Sequence, residues 1–97
     1  MAYKLTRKAE EDIITVYQQG VVLFGAAQAE TYHARLEQAF DFLSANPRAA
    51  RERLEITPPV RCHPLGVHIV IYLIEDNGDV LILRVRHSRE DWDSDPL

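Results

Sequence analysis

Ninety-seven residues, 46% of them hydrophobic and with a formal net charge of −4, suit one domain with a single modest core. The acidic balance argues against generic nucleic-acid binding, which relies on phosphate neutralisation by Lys and Arg, so no direct sequence-specific nucleic-acid contact is expected. No apolar run nears the roughly 20 residues that span a bilayer, the start "MAYKLTRKAEED" has no signal-peptide core, and the lone Cys62 excludes an internal disulfide and a Cys-rich zinc site.

The expectation is therefore one domain over residues 1–97, cytoplasmic, without membrane contact, metal or cofactor. Cys62 reads as a small core residue.

In chain order, "YKL" at 3–5 alternates as a short strand does. Thr6 is a plausible N-cap for a helix whose stripe is Ala9, Ile13, Val16, Tyr17 and Phe24, although Ala9 at the third helical position leaves the capping box incomplete. Gly20 lies on the same stripe, where it costs about 1 kcal/mol of helix propensity unless a neighbouring helix comes close. Gly25 marks the stop. A second helix follows with Ala29, Tyr32, Leu36, Ala39, Phe40 and Leu43 inward, and Asn46-Pro47 ends it. The short connection implies an antiparallel helical hairpin. His33 falls on the outer face, four residues before Glu37, as a solvated i,i+4 partner.

Residues 47–59 read as an irregular connection with some strand in it. The last third is β: a strand around 60–63, a turn through "PLG", and two Val/Ile/Leu-rich strands around Asn77-Gly78. The fold class is α+β: a short N-terminal strand, an antiparallel two-helix hairpin, then a three-stranded antiparallel sheet.

A two-residue turn at Asn77-Gly78 places Asp76 opposite Asp79 and pairs Ile74 with Leu81, Tyr72 with Leu83, Val70 with Val85 and His68 with His87. That row faces the helices. The opposite row pairs Leu73 with Ile82, Ile71 with Arg84 and Ile69 with Arg86. Arginines beside aliphatics suit a partner groove, apolar contacts supplying affinity and guanidinium forks pairing with carboxylates or phosphates; Arg stems laid over the aliphatics are the plainer alternative. Arg61 is a further candidate for this second face, with the register across "PLG" left open.

The segments "YKLTRKAEEDI", Tyr32 and Leu36 in the second helix, "NP", "VRCHPLGVHIVIY" with its G-x-H-x-x-x-Y spacing, and "DVLILRVRHSREDW" together resemble the ParE toxins of the ParE/RelE superfamily over nearly the whole chain. The resemblance implies two helices on an antiparallel sheet, a ParD-like antitoxin that wraps and neutralises the toxin, and DNA gyrase as target. Antitoxin contacts are then expected at Ile69, Ile71, Leu73, Ile82, Arg84 and Arg86, and target contacts at Arg89, Asp91 and Trp92. Trp92 packing back over the sheet edge is the plainer role for that residue.

RelE-like relatives of the same fold cut messenger RNA on the ribosome. That chemistry needs a base, an acid and cations around the phosphate. Here Arg61, Arg84 and His87 are the residues available for it. The only lysines are Lys4 and Lys8, no Tyr follows Val85, and the tail "EDWDSD" is acidic. A non-enzymatic, protein-binding inhibitor is the expectation, with the ribonuclease as alternative.

Overall fold

The computed structural model describes residues 2–92, 94, 96 and 97; Asp93 and Asp95 of the acidic tail lie outside them. In order come β1 (Tyr3–Leu5), α1 (Arg7–Phe24), α2 (Ala26–Ala45), β2 (Glu52–Arg53), β3 (Val60–Leu65), β4 (His68–Ile74) and β5 (Val80–His87). The strands form one five-stranded sheet in the order β1-β5-β4-β3-β2. The expected three antiparallel strands are its centre. β1 adds to β5 in parallel, Tyr3 opposite Val80, and β2 adds to β3. The sheet is therefore mixed: two helices separate β1 from the later strands, long enough a connection to return the chain in a parallel sense.

The helices begin and end as their residues dictate. Thr6 caps α1 by accepting from the Ala9 amide at 3.0 Å. Gly25, at φ 92°, breaks the chain between the helices. A Cβ on Gly20 would stand 3.3 Å from the Ala29 Cβ, so the glycine permits the close approach of α1 and α2. The inward face of α2 buries Ala29, Leu36, Ala39, Phe40 and Leu43. Phe24 departs from its expected place: it is 68% exposed at the hairpin tip.

Two apolar clusters sandwich the sheet. Val70, Tyr72, Val80, Ile82 and Val85 meet Ala9, Ile13, Leu36, Phe40 and Leu43 on the helix side. Ile56, Val60, Cys62, Ile71 and Leu83 form a second cluster on the other side, joined by Ile69, Leu73, Leu81, Trp92 and Leu97. Cys62 is buried, and desolvation raises its thiol pKa.

The β4–β5 register differs from the expected one in its half nearer the turn. Observed pairs there are Ile74 with Val80, Leu73 with Leu81 and Tyr72 with Ile82; Leu83 is then an extra residue, and the pairs Ile71–Arg84, Val70–Val85, Ile69–Arg86 and His68–His87 follow as expected. The cause is the turn. The Glu75 amide donates to the Asp79 carbonyl and the Gly78 amide to the Glu75 carbonyl, both at 2.8 Å. Gly78 takes φ 91°, while among the described residues no non-glycine has positive φ. The loop is thus three residues with glycine in the left-handed position, not the mirror-image two-residue turn that needs positive φ at Asn77 as well. Its one-residue slip is cancelled by the bulge at Leu83. As a result Ile82 points to the helices, while Leu81 and Leu83 point away from them.

Candidate functional site

The stretch "RVRHSREDW" is tied into the chain around it. Arg84 forms a bidentate pair with Asp12 of α1, Nε to Oδ2 at 2.6 Å and Nη2 to Oδ1 at 2.9 Å, with both side chains less than a fifth exposed. Its Nη1 donates to the Leu97 carbonyl at 2.8 Å, and Lys8 Nζ donates to the same oxygen. Asp12 Oδ2 also accepts from the Val85 amide at 3.0 Å. Just before this, Thr6 Oγ1 donates to the Leu83 carbonyl at 2.7 Å. The start of α1 therefore continues where the short β1 ends, satisfying the exposed edge of β5 at its bulge.

Arg86 is held by Glu90, Nη2 to Oε2 at 2.9 Å, and Glu90 Oε1 accepts from the His87 amide. That backbone bond, with Arg86 beside it, keeps the Glu90 carboxyl below the ordinary glutamate range. The Arg89 amide donates to His87 Nδ1 at 3.1 Å, and Asp91 accepts from Ser94 Oγ. Trp92 and Leu97 pack against the second cluster, and the Arg53 guanidinium lies 5.4 Å from the centre of the Trp92 ring.

The face expected to be open is therefore covered by the chain itself. Ile71 and Ile82 have no exposed surface, and Ile82 is on the helix side. Ile69 and Leu73 are half-buried against the second cluster, as is Trp92. Trp92 packs on the second cluster, with Arg53 of the edge strand β2 over its ring.

The three residues named for RNA cleavage do not converge. Arg61 stands opposite Tyr72, and its Nη1 donates to the Ala50 carbonyl at 2.6 Å. Arg84 stands opposite Ile71, on the other face. His87 stands opposite His68, roughly 13 Å further along β4 than Tyr72 at strand spacing.

The G-x-H-x-x-x-Y spacing has a structural meaning. Gly66 starts the β3–β4 turn at φ 57°, and a Cβ there would come 2.8 Å from Tyr32 Oη. Tyr32 Oη donates to the Leu65 carbonyl at 3.0 Å and lies 2.6 Å from His68 Nδ1. Its proton being used on Leu65, we assign the Nδ1–H tautomer to His68, donating to the phenol. Desolvation lowers the His68 pKa, nearby His87 adds to this, and Glu90 opposes it. Tyr72 Oη donates to the Pro47 carbonyl at 2.8 Å and fixes the turn after α2.

Sequence reasoning missed Asp12, which no local pattern distinguishes from its acidic neighbours. It also missed a cavity of about 530 Å³ at the helical hairpin, lined by Leu23, Phe24, Tyr32, Arg35, Val67 and His87 among others. A signal for it was present: Gln18 to Ala29 contains no charged residue in a chain that is 27% charged. His33 sits as expected, Nε2 3.6 Å from Glu37, but its Nδ1 is shielded and has no partner among the described residues.

The comparisons with known proteins agree with this architecture. Residues 3–92 match the family described as ParE toxin of type II toxin-antitoxin system, parDE. Toxin ParE1 of Mycobacterium tuberculosis is 33% identical over 91 residues, covering 94% of this chain and 93% of that protein. Toxin ParE of Escherichia coli is 31% identical over 90 residues, covering 93% and 87%. A solved structure titled "Chromosomal ParDE TA system from P. aeruginosa" superposes with a TM-score of 0.75 at 27% identity, covering 90% of this chain and 95% of that one. The chain belongs to the ParE toxin family of type II toxin–antitoxin systems.

Proposed function

We propose that this toxin acts without chemistry of its own, by binding DNA gyrase and stalling it on cleaved DNA, and that a ParD-like antitoxin neutralises it. The observation that supports this most is the fate of the cations. RNA cleavage needs a base and positive charge gathered around one phosphate. Here Arg84 is held by Asp12 and Leu97, Arg61 donates to Ala50, and the two arginines lie on opposite faces of the sheet. Family membership supports gyrase as target and a ParD-like partner.

Within this reading, Arg89, Asp91 and Trp92 are the target-contact residues. Arg89 and Asp91 are exposed on the turn beyond β5, and Trp92 fixes that turn to the sheet. The test is to add the purified, antitoxin-free chain to gyrase and relaxed plasmid. Dose-dependent loss of supercoiling with trapped breaks is the expected result. Full gyrase activity with folded protein, together with cleavage of messenger RNA on ribosomes, would overturn it.

A further inference from the structure

Several cations of this chain are matched by carboxylates. Lys4 pairs with Glu75, Arg53 with Glu55, Arg84 with Asp12 and Arg86 with Glu90. The arginines just after α2 are not. Arg48 and Arg51 are exposed in the connection to β2, and among the described residues neither forms an ion pair. Residues 42–51 and 56–74, which hold Arg48, Arg51 and Arg61, contain no Asp or Glu. In a chain of net charge −4, that is a local reversal of sign. The next carboxylate along the chain is Glu52, opposite Arg61 on the edge strand, and it makes no ion pair with Arg61.

The turn that carries these arginines is held in place. The Ala49 amide donates to the Asn46 carbonyl at 3.0 Å. Tyr72 Oη donates to the Pro47 carbonyl at 2.8 Å, and Arg61 Nη1 to the Ala50 carbonyl at 2.6 Å. Arg61 therefore braces the turn from β3 and adds its charge to it. Arg48 and Arg51 lie within two residues of Ala50, so their Cα atoms stay within about 7 Å of that of Ala50.

Fixed guanidiniums without carboxylates suit phosphate oxygens, which accept the paired N–H groups of an arginine fork. Two or three cations are too few to hold a nucleic acid alone at physiological salt. They are enough where another contact already brings it close. The corner has such a neighbour: Arg53, two residues beyond Arg51, lies 5.4 Å from the centre of the Trp92 ring. Trp92 belongs to the turn assigned above to the target. In a complex stalled on broken DNA, the phosphate backbone is the densest array of anions. Contacts to it position a strand and read no sequence.

We propose that Arg48 and Arg51, braced by Arg61, grip the phosphate backbone of the DNA held by the target, so that the toxin touches protein and DNA together. The proposal rests on the gyrase reading above and adds the DNA as a second partner.

The test uses the full chain from cell-free synthesis and gyrase with or without a bound linear duplex. Affinities are read by calorimetry at several salt concentrations. Arg48→Gln combined with Arg51→Gln weakens binding to the gyrase–DNA complex about tenfold and removes about two phosphate contacts from its salt dependence. Binding to DNA-free gyrase changes less than about twofold, and fewer breaks are trapped on plasmid. Arg48→Lys with Arg51→Lys, which keeps the charge, recovers part of the loss. Circular dichroism verifies that the variants are folded, as expected for exposed positions. An equal loss with and without DNA would give the corner to the gyrase protein and overturn the proposal. Unchanged affinity and salt dependence on the complex would overturn it as well. A wild-type chain that leaves supercoiling intact would overturn the gyrase reading, and the DNA contact with it.

Discussion

The molecule has two apolar surfaces outside its main core, and it treats them differently. The outer face of the sheet is closed by Trp92, Leu97 and the 56–62 region, and its arginines are bound to Asp12, Leu97 and Glu90. The hairpin tip has a comparable run of aliphatic and aromatic side chains, exposed among the described residues. Sequence hydrophobicity is similar at both. What separates them is whether another part of the same chain reaches the surface, which suggests that the first contributes to stability and the second to association.

Substitutions can break that comparison. Asp12→Ala has the largest expected effect, because it leaves the Arg84 guanidinium with its carboxylate gone and the Val85 amide without an acceptor. A loss of about 3 kcal/mol is expected in urea unfolding; an unchanged midpoint would mean that the β5 edge does not depend on α1. Gly66→Ala is next, at about 2 kcal/mol, from the positive φ and the Tyr32 hydroxyl in the way of the new methyl. Adding Tyr32→Phe to it should return part of that loss, whereas independent, additive losses would refute the clash.

Tyr72→Phe removes the hydroxyl bond to Pro47 and should cost about 1 kcal/mol. Acid titration gives a smaller effect with a definite sign. The folded chain holds His68 below its ordinary 6.5, favouring the neutral ring. Stability from this source is complete above that value and drains away as pH falls through the lowered one. Glu90, held below 4.5, acts in the same sense at lower pH. Burial lowers the His63 pKa in the same sense, so thermal midpoints followed from pH 7 downward should decline in two stages, and His68→Gln should reduce the first. Smallest of all, Leu23→Ser should move stability by less than about 0.5 kcal/mol. A drop comparable with Asp12→Ala would show that the tip is part of the fold and not a free surface.

Most of the helical half could be read in advance. The cap at Thr6, the stop at Gly25, the close approach at Gly20 and the inward face of α2 follow from 3.6-residue periodicity and from residues with one strong local preference. Phe24 kept the period yet landed outside, because the stripe runs past the end of the sheet that covers it. The β half was legible as strands and only partly as register. Asn77-Gly78 marked a hairpin but not which residues would be central to the turn, and the Leu83 bulge is favoured by the α1 side chains that serve it. From the candidate site, the sequence singled out Arg84 and Arg86 for a partner groove and Trp92 for target contact or packing over the sheet. It did not identify Asp12 as the partner of Arg84, since Asp12 lies far away along the chain.

The sequence alone determined the order of elements, the two-sided β hairpin and the family likeness, because these rest on spacing between near neighbours. Tertiary structure decided which apolar face is closed. That depends on β1 and the start of α1 meeting β5, and on Trp92 and Leu97 folding back over the sheet. The first of these contacts join residues from opposite ends of the chain, and no local pattern encodes where such segments meet.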